Sequence, residues 1–126
     1  MINQPKRLLV LLAHGSRDPK WQEPFQLIKQ QIQASQSLPV ILAYMELCEP
    51  SLATIAEQIN PEQTCQIDVL PLFFAAGRHL RQDVPQQIEQ LEQQYPQLTI
   101  KLHPPVGVHH KLVQALVEVA LDLDAN

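Results

Sequence analysis

The chain has 126 residues, 45% of them hydrophobic, and a formal net charge of −4. That length suits one domain with a real core, and that apolar share excludes a disordered chain. The negative balance argues against a general nucleic-acid binder, which needs a basic footprint.

Met1-Ile2-Asn3-Gln4-Pro5-Lys6-Arg7 and the apolar stretch after it superficially resemble a signal peptide. The stretch is too short to span a bilayer, and the polar segment beyond it carries Arg and Asp rather than a small-residue cleavage site. We read it as the first strand, about 8–13, of a cytoplasmic protein that does not engage a membrane. Cys48 and Cys65 form no CxxC pair and no zinc-ligand spacing, which fits a reducing compartment.

Asp18-Pro19 reads as a helix start, with Asp as N-cap and Pro at the first helical position. Trp21, Phe25, Ile28 and Ile32 follow on one helical face. The second strand covers about 39–45. Glu49-Pro50-Ser51 opens a second helix with Leu52, Ile55, Ala56 and Ile59 inward, stopped by Asn60-Pro61. The third strand covers about 66–73, and a loop over 75–82 carries Gly77 and His79. Asp83-Val84-Pro85-Gln86 has the form of a capping box, and Ile88, Leu91 and Tyr95 continue a buried face. The fourth strand covers about 98–102. The last helix runs from about 107, with Leu112, Ala115, Leu116, Val119 and Leu123 expected inward. Strands alternating with helices predict a single α/β domain over residues 1–126: an open, parallel, four-stranded sheet with helices on both faces.

Chemistry concentrates where such a sheet binds ligands, outside the carboxyl ends of its strands. His14 closes the first strand before Gly15-Ser16-Arg17, and His79 follows the third strand, so two distant imidazoles are expected to meet in one cleft. Glu46, ending the second strand, is the third candidate, against the plainer role of a charge near the second helix's N-terminus. Two histidines and a carboxylate match borderline divalent metals such as Fe, Co, Ni or Zn. His103, His109 and His110 follow the fourth strand. The surface is the favoured place for the last two, and His103 is open between cleft and surface. Arg17, Arg78 and Arg81 make the rim positive on a negative chain, which points to an anionic ligand.

Leu12-Ala13-His14-Gly15-Ser16-Arg17, Ala43-Tyr44-Met45-Glu46, Glu49-Pro50-Ser51-Leu52 and Pro71-Leu72-Phe73-Phe74-Ala75-Ala76-Gly77-Arg78-His79 with Asp83-Val84-Pro85 together resemble the sirohydrochlorin chelatases of the CbiX type, among the class II chelatases. The resemblance runs in order from about residue 8 to about 110 and matches the short form of that family. It implies a lyase-type enzyme that inserts a divalent metal into sirohydrochlorin, on routes to cobalamin or sirohaem. It implies that His14 and His79 bind the metal, and that Glu46 joins them in catalysis. Co²⁺ is the first expectation for the metal, which is the substrate, with Fe²⁺ or Ni²⁺ open; no organic cofactor is expected. The partners implied are the anionic tetrapyrrole and a second copy in a homodimer. Arg17, Arg78 and Arg81 would orient the acidic side chains of the tetrapyrrole, and Phe74, Ala75, Ala76 and Gly77, with Leu80, would contact its face. The family often has Gly-Gly-His where this chain has Gly77-Arg78-His79, so Arg78 either adds a contact to a substrate carboxylate or narrows the cleft.

Two other functions compete. A metal or tetrapyrrole carrier would need the same ligands without turnover. A histidine phosphatase-like enzyme would place Arg directly before His-Gly, where this chain has Ala13.

Overall fold

Parallel strands cannot be joined by tight turns, so each strand-to-strand connection here runs through a helix. The computed structural model describes residues 6–59, 62, 63 and 65–124. In chain order these form β1 (Arg7–Ala13), α1 (Pro19–Ser35), β2 (Val40–Tyr44), α2 (Leu52–Gln58), β3 (Cys65–Pro71), α3 (Val84–Gln94), β4 (Leu98–Leu102) and α4 (His110–Asp124). A π-helical turn, His79–Asp83, leads into α3, and a 3-10 turn, Val106–Val108, precedes α4. All the sheet's pairs are parallel, as the alternation of elements predicted, and its order is β2-β1-β3-β4. Met1–Pro5 and the Asn60-Pro61 stop lie outside the described residues.

Side chains alternate across a strand, so β1 feeds two cores. Leu8, Val10 and Leu12 join Ile67 and Val69 of β3 beneath α2 (Leu52, Ile55, Ala56) and α3 (Ile88, Leu91). Leu11 and Ala13 join Leu42 and Tyr44 of β2 beneath Trp21, Phe25 and Ile32 of α1. Helices thus cover both faces. The expected cap of the first helix holds, the Asp18 carboxylate accepting from the Lys20 N–H, and at the expected start of the second the Ser51 hydroxyl accepts from the Thr54 N–H.

Two expectations about buried helix faces fail. Ile28 of α1 is exposed, as it lies at the margin of the stripe that meets the sheet. The inward face of the last helix is not inward: Ala115, Leu116, Val119 and Leu123 of α4 are all exposed, and Leu112 is only half-buried. The His103 N–H still bonds to the Val69 carbonyl at 2.9 Å. Pro104 and Pro105 have no N–H to extend the ladder, and the chain leaves the sheet there. Periodicity announces an apolar face but does not say which surface covers it.

Asp68 of β3 is the buried charge among the described residues, 5% exposed. Burial by itself would push its carboxyl up. Hydrogen bonds from His103 (Nε2, 2.9 Å), Arg7 (Nε, 2.7 Å) and Gln66, with the Arg7 charge, outweigh that and hold it below the usual carboxylate range. His103, left open between cleft and surface, is thereby tied to the sheet face.

Candidate active site

The strand order reverses direction between β1 and β3: from β1 the chain steps to β2 on one side, then returns to β3 on the other. A crevice opens at such a switch point, outside the carboxyl ends of the central strands. His14 follows β1, Glu46 lies just beyond β2, and His79 follows β3, so all three reach the same end of the sheet.

Backbone bonds fix the first two. The Met45 N–H donates to the Ala13 carbonyl at 3.0 Å and the Glu46 N–H to the His14 carbonyl at 3.1 Å, extending the β1–β2 ladder beyond the strands. This close approach needs Gly15. Its φ is +111°, and a Cβ built there would lie 1.8 Å from the Glu46 carbonyl oxygen. No side chain fits between the two segments. As a result His14 Nε2 stands 3.1 Å from Glu46 Oε1, with both side chains more than half exposed. The His14 ring meets the edge of Phe73, with centroids 6.2 Å apart.

His79 opens the π-helical turn, whose Val84 N–H bonds to the His79 carbonyl. Pro85 lacks the N–H that would bond to the Arg81 carbonyl and its ring crowds that group, which favours a widened turn just before it. Asp83 does not cap α3. Its backbone is helical and its carboxylate makes no cap bond; instead Oδ2 lies 2.5 Å from His79 Nδ1. The capping-box reading of Asp83 and Gln86 is therefore replaced by a His–carboxylate pair. The His79/Asp83 spacing of four residues was the signal for it.

His14, Glu46, His79 and Asp83 line one cavity of about 190 Å³, together with Tyr44, Ser51 and Gln87. An adjoining hollow of about 230 Å³ shares His14 and His79 and adds Phe73, Ala75, Gly77 and Arg78. Burial, then the nearby Cys48, push the Tyr44 hydroxyl up, against the hydrogen bond from Gln26 of α1, so the phenol stays neutral on the α1 side. Sequence reading missed Asp83, Tyr44, Ser51 and Gln87 as wall residues. Among the described residues no three His, Cys, Asp or Glu side chains form a ready metal cluster. The donors stand as two His–carboxylate pairs facing one space.

The other expected residues divide. Phe74, Ala75, Ala76 and Gly77 form an exposed lip, with Phe74 71% exposed. Leu80 is buried in the core beneath it. Of the three arginines, Arg78 lines the hollow, its Nε 3.3 Å from Gln82 Oε1, whereas Arg17 and Arg81 are exposed beyond both linings. His109 and His110 stack on each other at the exposed start of α4, with centroids 4.6 Å apart. A larger space of about 710 Å³, lined by Leu70, His103 and the 104–112 segment, lies where α4 leaves the sheet, away from these pairs.

The sequence profile of the CbiX family matches residues 8–123. The chain belongs to the CbiX family. A CbiX protein from Marinobacter aquaeolei VT8 is 41% identical, superposes with a TM-score of 0.83, and is matched over 95% of this chain and 99% of its own. The sirohydrochlorin ferrochelatase of Bacillus subtilis is 28% identical over 94% of this chain, but the chain spans only 46% of that protein. The sirohydrochlorin cobaltochelatase of Sulfurisphaera tokodaii is also 28% identical, over 87% of this chain and 88% of its own length. Thus the chain spans about half of one relative and nearly all of another.

Proposed function

We propose that this CbiX-family chain inserts a divalent metal into sirohydrochlorin, with His14 and His79 as metal-binding residues and Glu46 assisting them. The observation that carries the reading is that both imidazoles line one cavity at the switch point of the sheet. Names of relatives support the substrate: sirohydrochlorin chelation is common to the ferro- and cobaltochelatases that this chain resembles. Co²⁺ is the first choice of metal, because the relative of this chain's own length is a cobaltochelatase whereas the ferrochelatase is about twice as long. Imidazole donors suit Co²⁺, Fe²⁺ and Ni²⁺ alike.

Insertion must hold an ion loosely, remove two pyrrole N–H protons, and press a macrocycle against the ion. Two imidazoles without a third fixed donor leave coordination positions open for the incoming pyrrole nitrogens. As the ion passes to the macrocycle, each imidazole it leaves regains its free lone pair and accepts the proton that a pyrrole nitrogen gives up, and the carboxylate beside each ring stabilises the imidazolium formed. A cavity of about 190 Å³ is smaller than the ~300–1,000 Å³ of ordinary ligand pockets, so it takes the ion and not the ring. The tetrapyrrole then lies across the mouth, over the lip from Phe74 to Gly77, with Arg78 beside its acidic groups and Arg17 and Arg81 further out.

We place residues 1–126 as one chelatase unit that pairs with a second copy. In support, α4 leaves an apolar helical face in solvent, and Leu70 of β3 and Leu72 just beyond it lie half-covered on the sheet face beside α1. Among the described residues no helix is long and apolar enough to cross a membrane, and both thiols are free. Free thiols fit a reducing cytoplasm. The test is to follow sirohydrochlorin absorbance while adding Co²⁺, Fe²⁺ or Ni²⁺ to the protein. Spectral conversion faster than the protein-free control supports the reading. Tight binding without conversion would make the chain a carrier.

A further inference from the structure

We propose that Asp83 is a positioning residue for His79: its carboxylate keeps the proton of the neutral ring on Nδ1 and leaves the Nε2 lone pair as the one offered to the cavity. The inference deepens the reading of His79 as a metal-binding residue and rests on it. Three observations carry it. Asp83 Oδ2 lies 2.5 Å from His79 Nδ1, well within hydrogen-bond reach. The carboxylate has no capping duty, although Asp83 stands where a cap would be expected. Both residues belong to the same widened turn, and both line the cavity that His14 and Glu46 enter from the other side.

Chemistry gives the pair its meaning. A carboxylate accepts and does not donate, so only a ring with its proton on Nδ1 satisfies it. The other nitrogen is then unprotonated and free for an ion or a pyrrole proton. Histidines that hold metals usually give their second N–H to such a partner, which fixes both tautomer and ring orientation. His14 is arranged differently. Its Nε2 is the nitrogen beside a carboxylate, 3.1 Å from Glu46 Oε1. By the same logic Glu46 keeps the His14 proton on Nε2, so the unprotonated nitrogen is Nδ1 in His14 and Nε2 in His79. The competing account is an ordinary exposed pair four residues apart, of the kind that supports many helices.

The test uses ¹⁵N-labelled, metal-free full-length protein at a pH well above the imidazole range. Long-range ¹H–¹⁵N correlations report which nitrogen of His79 carries the proton. The wild-type chain is expected in the Nδ1–H form. Asp83→Ala should lose that preference, and Asp83→Asn, whose carbonyl still accepts, should restore part of it. Titration with Co²⁺ alone should show affinity about 10- to 100-fold weaker in Asp83→Ala, with Asp83→Asn between. A helix-support role alone would move neither the tautomer nor the affinity. An Nε2–H form in the wild type, the same form in wild type and Asp83→Ala, or unchanged Co²⁺ affinity would each overturn the proposal. Normal insertion by His79→Ala would instead overturn the underlying assignment of His79, so the two failures are separable.

Discussion

Replacing Gly15 by alanine tests whether the proximity of His14 and Glu46 depends on the missing side chain. The new Cβ would lie 1.8 Å from the Glu46 carbonyl oxygen, and real contacts essentially never fall below 3.0 Å. The two segments must therefore part by about 1.2 Å. They are held by the Met45 and Glu46 N–H bonds, of 3.0 and 3.1 Å, so parting them by that much breaks both. Forcing a non-glycine residue to positive φ adds about 1–3 kcal/mol of strain. A loss of about 2 kcal/mol in a domain of this size lowers Tm by about 8 °C. The effect on catalysis should be larger, because a displacement of about 1 Å in positioned groups costs about 100-fold in rate. Thermal unfolding by circular dichroism and Co²⁺ insertion into sirohydrochlorin measure the two effects. Gly15→Ala protein with wild-type Tm and wild-type rate would refute the account of the β1–β2 junction.

Replacing either imidazole should separate chemistry from folding. His14 and His79 side chains are 55% and 74% exposed, so His14→Ala and His79→Ala should change stability by no more than about 0.5 kcal/mol while abolishing insertion in the absorbance assay. Leu11 is fully buried between β2 and α1, so Leu11→Ala should cost about 2–5 kcal/mol in denaturant unfolding with no change in m-value. Asp68 predicts an acid response. Its folded pKa is depressed, so its contribution is complete above the unfolded carboxylate value of about 3.9 and is lost as pH falls through the lower folded value. Asp68→Asn should flatten the stability-against-pH curve in that acid window, read by denaturant unfolding across pH. Leu116→Asp with Val119→Asp should leave the unit folded, since both sites are exposed, and the proposed pairing predicts a dimer in sedimentation for the wild type and a monomer for this variant.

The chain itself determined the strands, their parallel sense, the cap of the first helix and the start of the second. These are local matters: a buried strand needs an apolar run, and a helix start needs an acceptor such as Asp18 or Ser51 for its free N–H groups. His14, Glu46 and His79 were legible for the same reason, since each lies at or beyond the carboxyl end of a strand. Tertiary structure decided what local pattern leaves open. Asp83 satisfies the rule for a cap and also the spacing for a histidine partner, and only the widened turn ahead of Pro85 selects the second. Asp68 sits in an apolar strand, and its tolerance there depends on Arg7 and His103 arriving from β1 and the end of β4. The apolar face of α4 was read correctly as a face and wrongly as part of this unit's core. Hydrophobic periodicity records that a surface will be covered, but the covering surface belongs to three-dimensional neighbours that spacing along one chain does not encode.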